Sequence, residues 1–257
     1  MKVFRFDGGG GPVTAHLTIA SAGSMRSSAS SGPARALVDV LGLDPARVRR
    51  VRQVHSKRVV AFDVDTKPEA PQAGFTAAGF GPATADGLPE ADSLPEADGL
   101  PEADGLVTND FGLVLAVTVA DCMPILLQDR YGRAFGLLHS GWRGTGILTA
   151  AVDIMRERYG VPAEDLVASF GPAIGGCCYR VDDERYELFQ SRWNAGRIVN
   201  GERTIDLAAA NRAIAGECGV GEVRLESPCT VCNDWLGSYR RQGPENYTLM
   251  LAVAGKL

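Results

Sequence analysis

Three side chains carry most of the chemistry that this sequence offers. Cys122 stands in VADCMPILL, His139 in GLLHSGWRG and His55 in RQVHSKR. Each lies where an apolar, strand-like stretch gives way to a turn, and Pro124 withholds a backbone donor just after the cysteine. Ligand sites gather at strand ends along one edge of a sheet. A thiolate and two imidazoles meeting there would form a zinc centre with a fourth position open to water or substrate. The same set could hold copper, and Met123 adds a soft sulfur beside it. Spacing alone does not oblige the three to meet: 67 residues separate His55 from Cys122 and 17 separate Cys122 from His139, with no short metal motif linking them. Taken singly, a buried cysteine is a small hydrophobe and a strand-end histidine is a hydrogen-bonded surface group.

Other residues compete for a role. Asp121 is the carboxylate next to Cys122, a candidate proton carrier and equally a turn residue bonded to backbone. Arg143, between two glycines and ahead of a helix, suits an anion, because a helix N-terminus adds backbone donors and positive potential. Arg240 and Arg241 form a second candidate anion clamp. Cys177-Cys178 with Cys229-x-x-Cys232 has the local spacing of a structural zinc site, although adjacent cysteines are expected to project in different directions. The turn Gly171–Gly176 has neither the Lys-Ser/Thr ending of a P-loop nor the spacing of a dinucleotide-binding loop, and reads as a tight strand exit.

The elements that must position these residues are legible in outline. VRRVRQVHSKRVVAFDV reads as two β segments around a turn at His55-Ser56-Lys57. Apolar runs at Phe111–Val119, Pro124–Leu127 and Ala134–Leu138 read as strands of a buried sheet. Thr145 can cap a helix carrying Ile147, Leu148, Ala151, Ile154 and Met155 at helical spacing, with Gly160 ending it. Further segments are a strand at Leu166–Phe170, helices at Glu184–Arg192 and Leu207–Ala215, and late strands at Val223–Leu225 and Thr248–Val253. A short helix is expected after Ser31-Gly32-Pro33, with Leu37, Val38 and Leu41 on its apolar face and Gly42 at its exit. Elements alternate loosely, which gives an α/β or α+β class with a mixed sheet in a single domain spanning 1–257. Residues 67 to 102 differ in texture. A tandem hexapeptide, ADGLPE, ADSLPE, ADGLPE and then ADGLVT, has too little apolar surface per copy to order a solenoid. It reads as a solvated loop insertion, with only the last copy, Ala103 to Thr108, inside the fold.

Composition narrows the setting. The net charge of −5 gives nucleic-acid binding no electrostatic support. The start MKVFRFDGGGGP lacks an apolar signal core, and no run approaches the roughly 18 apolar residues of a membrane helix. A cytoplasmic protein with reduced thiols is expected, so the six cysteines are read as packing residues, ligands or nucleophiles.

With these motifs assembled, the chain resembles a known family. QVH (53–55), ADGLVT (103–108), ADCMP (120–124), LLHSGWRGT (137–145), GPAIGGCCYRV (171–181) and CTVCNDWLGSYRR (229–241) occur in the order seen in the laccase-domain proteins. These are also called multicopper polyphenol oxidoreductase-like proteins, and some members are named peptidoglycan editing factor. The resemblance implies an α/β/β/α-type layered fold and a zinc site on His55, Cys122 and His139. It implies purine nucleoside phosphorylase activity on adenosine, inosine and guanosine, with methylthioadenosine cleavage and adenosine deamination at the same site. Arg180 stands where the family usually has Glu, and the GSMRSSASSGP loop and the PENYTLMLAV tail also depart from the family pattern. Three histidines in all are too few for the several imidazole-ligated coppers of a true laccase, although a single copper in the Cys-His-His set could give weak oxidase behaviour. The family's likeness to cysteine deamidases offers a different enzyme reading, with Cys122 as nucleophile and His139 as base. A metal-binding or cell-wall-associated factor without catalysis is the third reading.

Overall fold

A computed structural model describes residues 3–7, 11–25, 41–63 and 100–257. The strands are β1 (Val3–Arg5), β2 (Thr14–Thr18), β3 (Val48–Arg49), β4 (Val59–Ala61), β5 (Gly105–Thr108), β6 (Val114–Val119), β7 (Met123–Asp129), β8 (Phe135–Ser140), β9 (Leu166–Phe170), β10 (Gly196–Val199), β11 (Glu202–Ile205), β12 (Glu222–Leu225) and β13 (Met250–Gly255). The helices are α1 (Ile147–Tyr159), α2 (Asp183–Trp193), α3 (Leu207–Glu217) and the single turn α4 (Tyr239–Gln242).

Six strands form one sheet in the order β12-β9-β7-β8-β5-β4, and five form another in the order β1-β2-β13-β6-β3. Both sheets are mixed: β4 pairs with β5, β12 with β9 and β3 with β6 in parallel, while β7 and β13 are antiparallel to both of their neighbours. The class is therefore mixed α/β. The layers follow from strand alternation, because successive side chains point to opposite faces. On β7, Ile125 and Leu127 join a core with Leu148, Ala151 and Met155 of α1 and with Ile214 of α3. Leu126, between them, faces Leu17, Leu115, Val117 and Ala252 of the second sheet. The six-stranded sheet is thus covered by helices on one face and by the other sheet on the second. Such a sheet reads in sequence as an unbroken apolar run. The outer face of the five-stranded sheet carries a third cluster, in which Val114, Ala116, Leu251 and Val253 meet Met25, Leu43 and Leu249.

Several sequence expectations meet different geometry. Thr145 does not cap α1. Gly146, at φ 104°, takes the N-cap position, and the Thr145 hydroxyl donates instead to the Gly141 carbonyl at 2.9 Å. Gly160 does end the helix, in the left-handed region at φ 62°. Strands β1 and β2 and the hairpin β10–β11 add to the elements expected from sequence. Ahead of β5, the Pro101 carbonyl accepts from the Arg52 N–H and Glu102 bridges to Arg52. The helix expected after Pro33 and nearly all of the hexapeptide loop lie outside the described residues.

Candidate metal centre

Register brings the chemistry to one end of the six-stranded sheet. Pro124 of β7 is level with His139 of β8, and Leu138 is level with Gly105 of β5. The entry to β7, the exit of β8 and the entry to β5 therefore coincide in space. Because β4 runs parallel to β5 with Val59 beside Gly105, the His55 turn preceding β4 arrives at the same end. Sheet pairing, not chain proximity, assembles the site.

There, ligand atoms of His55, Cys122 and His139 lie within 4.8 Å of one another. The two imidazole rings meet edge to face, 5.1 Å between centroids. His139 is buried, whereas His55 and Cys122 keep partial exposure, so the cluster opens on one side. Gly141 guards the space for the sulfur: a Cβ built there would sit 2.7 Å from Cys122 Sγ.

Asp104 organises the cluster. Its side chain is fully buried, and Oδ1 lies 2.9 Å from His139 Nδ1. That contact directs Nε2 towards the cysteine, the arrangement that orients a histidine ligand on a metal. The same carboxylate accepts from the His55 N–H at 3.0 Å, the Ser56 N–H at 2.5 Å, the Ser56 hydroxyl at 2.8 Å and the Val54 N–H at 3.3 Å. One carboxylate thus fixes the His139 ring and the turn that carries His55. Burial alone would raise its carboxyl, but the hydrogen bond and charge of His139, with the donors of Ser56, hold it below the usual carboxylate range. The last repeat copy, Ala103 to Thr108, is expected inside the fold, but nothing in its sequence singles out Asp104 as the partner of a histidine 35 residues away.

The electrostatics favour a thiolate. Burial would push the Cys122 thiol up, yet the charge and hydrogen bond of His139 and the hydrogen bond of His55 bring it down to about 6. Burial would lower His139, and the cysteine and Asp104 more than reverse this, so the ring is held well above its ordinary range. Two site residues, His55 at φ 56° and Asp121 at φ 80°, take the left-handed backbone conformation that non-glycine residues rarely adopt. The Asp104 carboxylate holds the first of these turns.

A soft thiolate, two nitrogen ligands preset by a carboxylate and an open side fit a tetrahedral zinc with one exchangeable position. Met123 takes no part: its sulfur lies in the helix-side core, 3.9 Å from Asn211 Nδ2, so it offers no soft ligand to copper at this cluster.

A family model described as multi-copper polyphenol oxidoreductase laccase matches residues 27–254. The chain belongs to this family. Among relatives of the laccase family, a Bacteroides thetaiotaomicron protein named purine nucleoside phosphorylase is 34% identical over 158 residues, which are 57% of this chain and 58% of that protein. An adenosine deaminase named RL5, from an unknown prokaryotic organism, is 39% identical over 135 residues, covering 49% of this chain and 52% of the relative. Geobacillus stearothermophilus YlmD, named as a purine nucleoside phosphorylase, is 33% identical over 161 residues, 58% of each protein. The crystal structure of YlmD aligns with a TM-score of 0.74 at 25% identity, over 98% of this chain and 93% of that one. The aligned sequence regions span only a little over half the length of these relatives.

The remaining candidates of this laccase-family chain fall in four groups. Asp121 flanks Cys122, with Oδ1 accepting from Thr230 Oγ1 at 2.5 Å and Oδ2 from the Arg240 N–H at 2.6 Å, while the Ile174 N–H bonds its carbonyl at 2.9 Å. These bonds make it first a positioning residue. Arg143 is exposed ahead of α1, its guanidinium 5.1 Å from the Trp142 ring centroid, and Arg185 lies over the same ring at 4.4 Å. The proposed clamp of Arg240 and Arg241 separates. Arg240 donates twice to the Arg180 carbonyl at 3.0 Å and lies over Tyr179. Arg241 spends its guanidinium on the carbonyls of Thr230, Val231, Asn233 and Leu236, which makes it a loop staple and not an anion ligand. Tyr179, inside the GPAIGGCCYRV segment but given no role from sequence, is a site neighbour. Burial and the charges of Cys122 and Asp121 keep its phenol protonated, so it offers a donor. Finally, the four thiols of Cys177, Cys178, Cys229 and Cys232 do converge, against the expectation from their adjacency. The turn that bonds the Cys178 and Tyr179 N–H groups back to the Gly175 carbonyl folds both neighbours to one side.

Proposed function

We propose that the chain is a zinc-dependent purine nucleoside phosphorylase, acting on adenosine, inosine, guanosine or methylthioadenosine with phosphate to give the free base and the sugar 1-phosphate, with adenosine deamination as a further activity of the same site. The observation carrying this reading is the convergence of His55, Cys122 and His139 on one open-sided point. The names of the relatives support it. We place the protein in the cytoplasm; no helix among the described residues is long and apolar enough to cross a membrane.

His55, Cys122 and His139 would hold the ion, with Asp104 fixing the His139 ring and the His55 turn. An ion held there supplies Lewis acidity to the nucleoside, phosphate or water beside it. In phosphorolysis a phosphate oxygen bonds the anomeric carbon while the bond to the purine nitrogen breaks, and the purine leaves with the electron pair and takes up a proton. The chain must therefore grip an anion, orient the sugar and meet charge on the departing base. Arg143, at the head of α1, is the phosphate holder, and Arg240 is a second cationic group beside Asp121. In deamination a water attacks the purine ring and ammonia departs. Asp121 carries the proton, since each carboxylate oxygen keeps a lone pair beyond its present bond.

The test pairs metal analysis with phosphate-dependent release of ribose 1-phosphate from adenosine. Cys122→Ala should lose both the ion of this site and turnover. Turnover persisting in that variant would overturn the mechanism. One observation favours a second reading: Cys122, His139 and Asp104 follow the nucleophile, base and orienting-acid order of a hydrolytic triad. Complete chelation that leaves activity whole would favour that reading.

A further inference from the structure

Cys177 and Cys178 follow the exit of β9, and Cys229 and Cys232 follow the exit of β12. These strands are parallel neighbours, with Leu225 level with Phe170, so the two exits lie side by side. A bridge between Ala173 and Cys229 and a bond from the Thr230 N–H to the Ala173 carbonyl at 3.0 Å extend the pairing into the turns. All four sulfurs lie within 4.8 Å of one another, with Cys177 to Cys232 at 3.7 Å and Cys178 to Cys232 at 3.5 Å.

These separations discriminate between chemistries. A zinc ion with four thiolates at about 2.3 Å sets its sulfurs about 3.8 Å apart. A disulfide would bring one pair to about 2.05 Å and leave the other two cysteines out. An iron–sulfur cluster divides its four cysteines between two or more irons, which leaves some of the sulfurs too far apart for four mutually close ones. The surroundings also suit a bound thiolate. The Gly175 N–H donates to Cys229 Sγ at 3.2 Å. Gly175 leaves the space open: a Cβ there would meet Cys177 Sγ at 3.2 Å and Cys229 Sγ at 3.4 Å. Cys177 and Cys232 are exposed, which gives an ion a path in.

We propose that Cys177, Cys178, Cys229 and Cys232 form a second metal site that binds one zinc ion and locks the β9 and β12 exits together. The lock acts on the neighbouring centre through Asp121, whose carbonyl is held by Ile174 of one exit and whose carboxylate is held by Thr230 of the other. This site is structural and stands whatever the fate of the catalytic reading.

The test is metal content by mass spectrometry on protein purified under reducing, oxygen-free conditions. Cys122→Ala removes the first centre and should retain one zinc per chain. Adding Cys177→Ser and Cys232→Ser should remove that ion, and both positions are exposed, so circular dichroism should show the fold intact. Cobalt added to metal-free Cys122→Ala should give the intense near-ultraviolet absorption of several thiolate ligands, and the triple variant should not. Zinc-free Cys122→Ala that also takes up no cobalt would overturn the proposal. So would iron in place of zinc, or an intact mass two hydrogens short, the mark of a disulfide.

Discussion

At the scale of single residues, the most consequential side chain is one outside the ligand set. Asp104 reaches the His139 ring and the backbone of the His55 turn at once. Asp104→Asn keeps the shape but removes the charge and places a donor among the donors of residues 54–56. Zinc affinity at the His55–Cys122–His139 centre should fall by roughly 10- to 100-fold, the usual cost of losing an orienting partner. A competition titration against a chromogenic chelator, with the four-cysteine site removed, measures this. An affinity within twofold of the unmodified chain would contradict the orienting role of Asp104. His55, Cys122 and His139 are legible as candidates because each stands at the end of an apolar, strand-like stretch, but it is the family resemblance, and not their spacing, that joins them into one ligand set. Asp104 is not legible, because an acid in ADGL looks alike in solvent and in a core. Its meaning comes from the register of β5 against β8, which no local pattern encodes.

At the scale of elements, the β7–β8 turn shows how charge secures a sheet. Asp129, fully buried at the end of β7, accepts from Arg133 Nε at 2.8 Å, from its Nη2 at 2.8 Å and from its N–H at 2.8 Å. Burial would raise this carboxyl, but the Arg133 bonds hold it below the usual range. The resulting stabilisation is complete above the unfolded value of about 4 and is lost as pH falls through the lower folded value. Urea midpoints measured from pH 7 to 3 should drop more steeply for the unmodified chain than for Asp129→Asn, which starts lower and has less to lose. Parallel slopes would remove the argument. Elsewhere, doubly covered strands such as β7 are readable as apolar runs. The hairpin β10–β11 has a different mark: Asn200 and Gly201, at φ 51° and 80°, make the Asn-Gly turn that joins two short strands. Those strands are partly exposed and carry charges, so no apolar period announces them.

At the scale of the molecule, the interior is divided between a helix-to-sheet layer and a sheet-to-sheet layer, and β7 serves both. Leu126 is fully buried between the sheets. Leu126→Ala should cost about 2–5 kcal/mol in chemical denaturation. Tyr131→Ala, at a residue 71% exposed, should stay within about 0.5 kcal/mol. Equal losses would mean that the two-layer core is drawn wrongly. Alternating helical and strand patterns point to a mixed α/β class, but the pairing of two sheets rests on contacts between distant segments.

The placement of β13 has a consequence for biosynthesis. Residues 250–255 form the middle of the five-stranded sheet, hydrogen-bonded to β2 on one side and to β6 on the other. While the ribosome is still translating, both partners wait with bare edges, and the nascent chain offers two sticky templates to its neighbours. Half of the sandwich can close only after the strand between them emerges, so yield in the cell should depend on holdase chaperones that shield those edges in the interval.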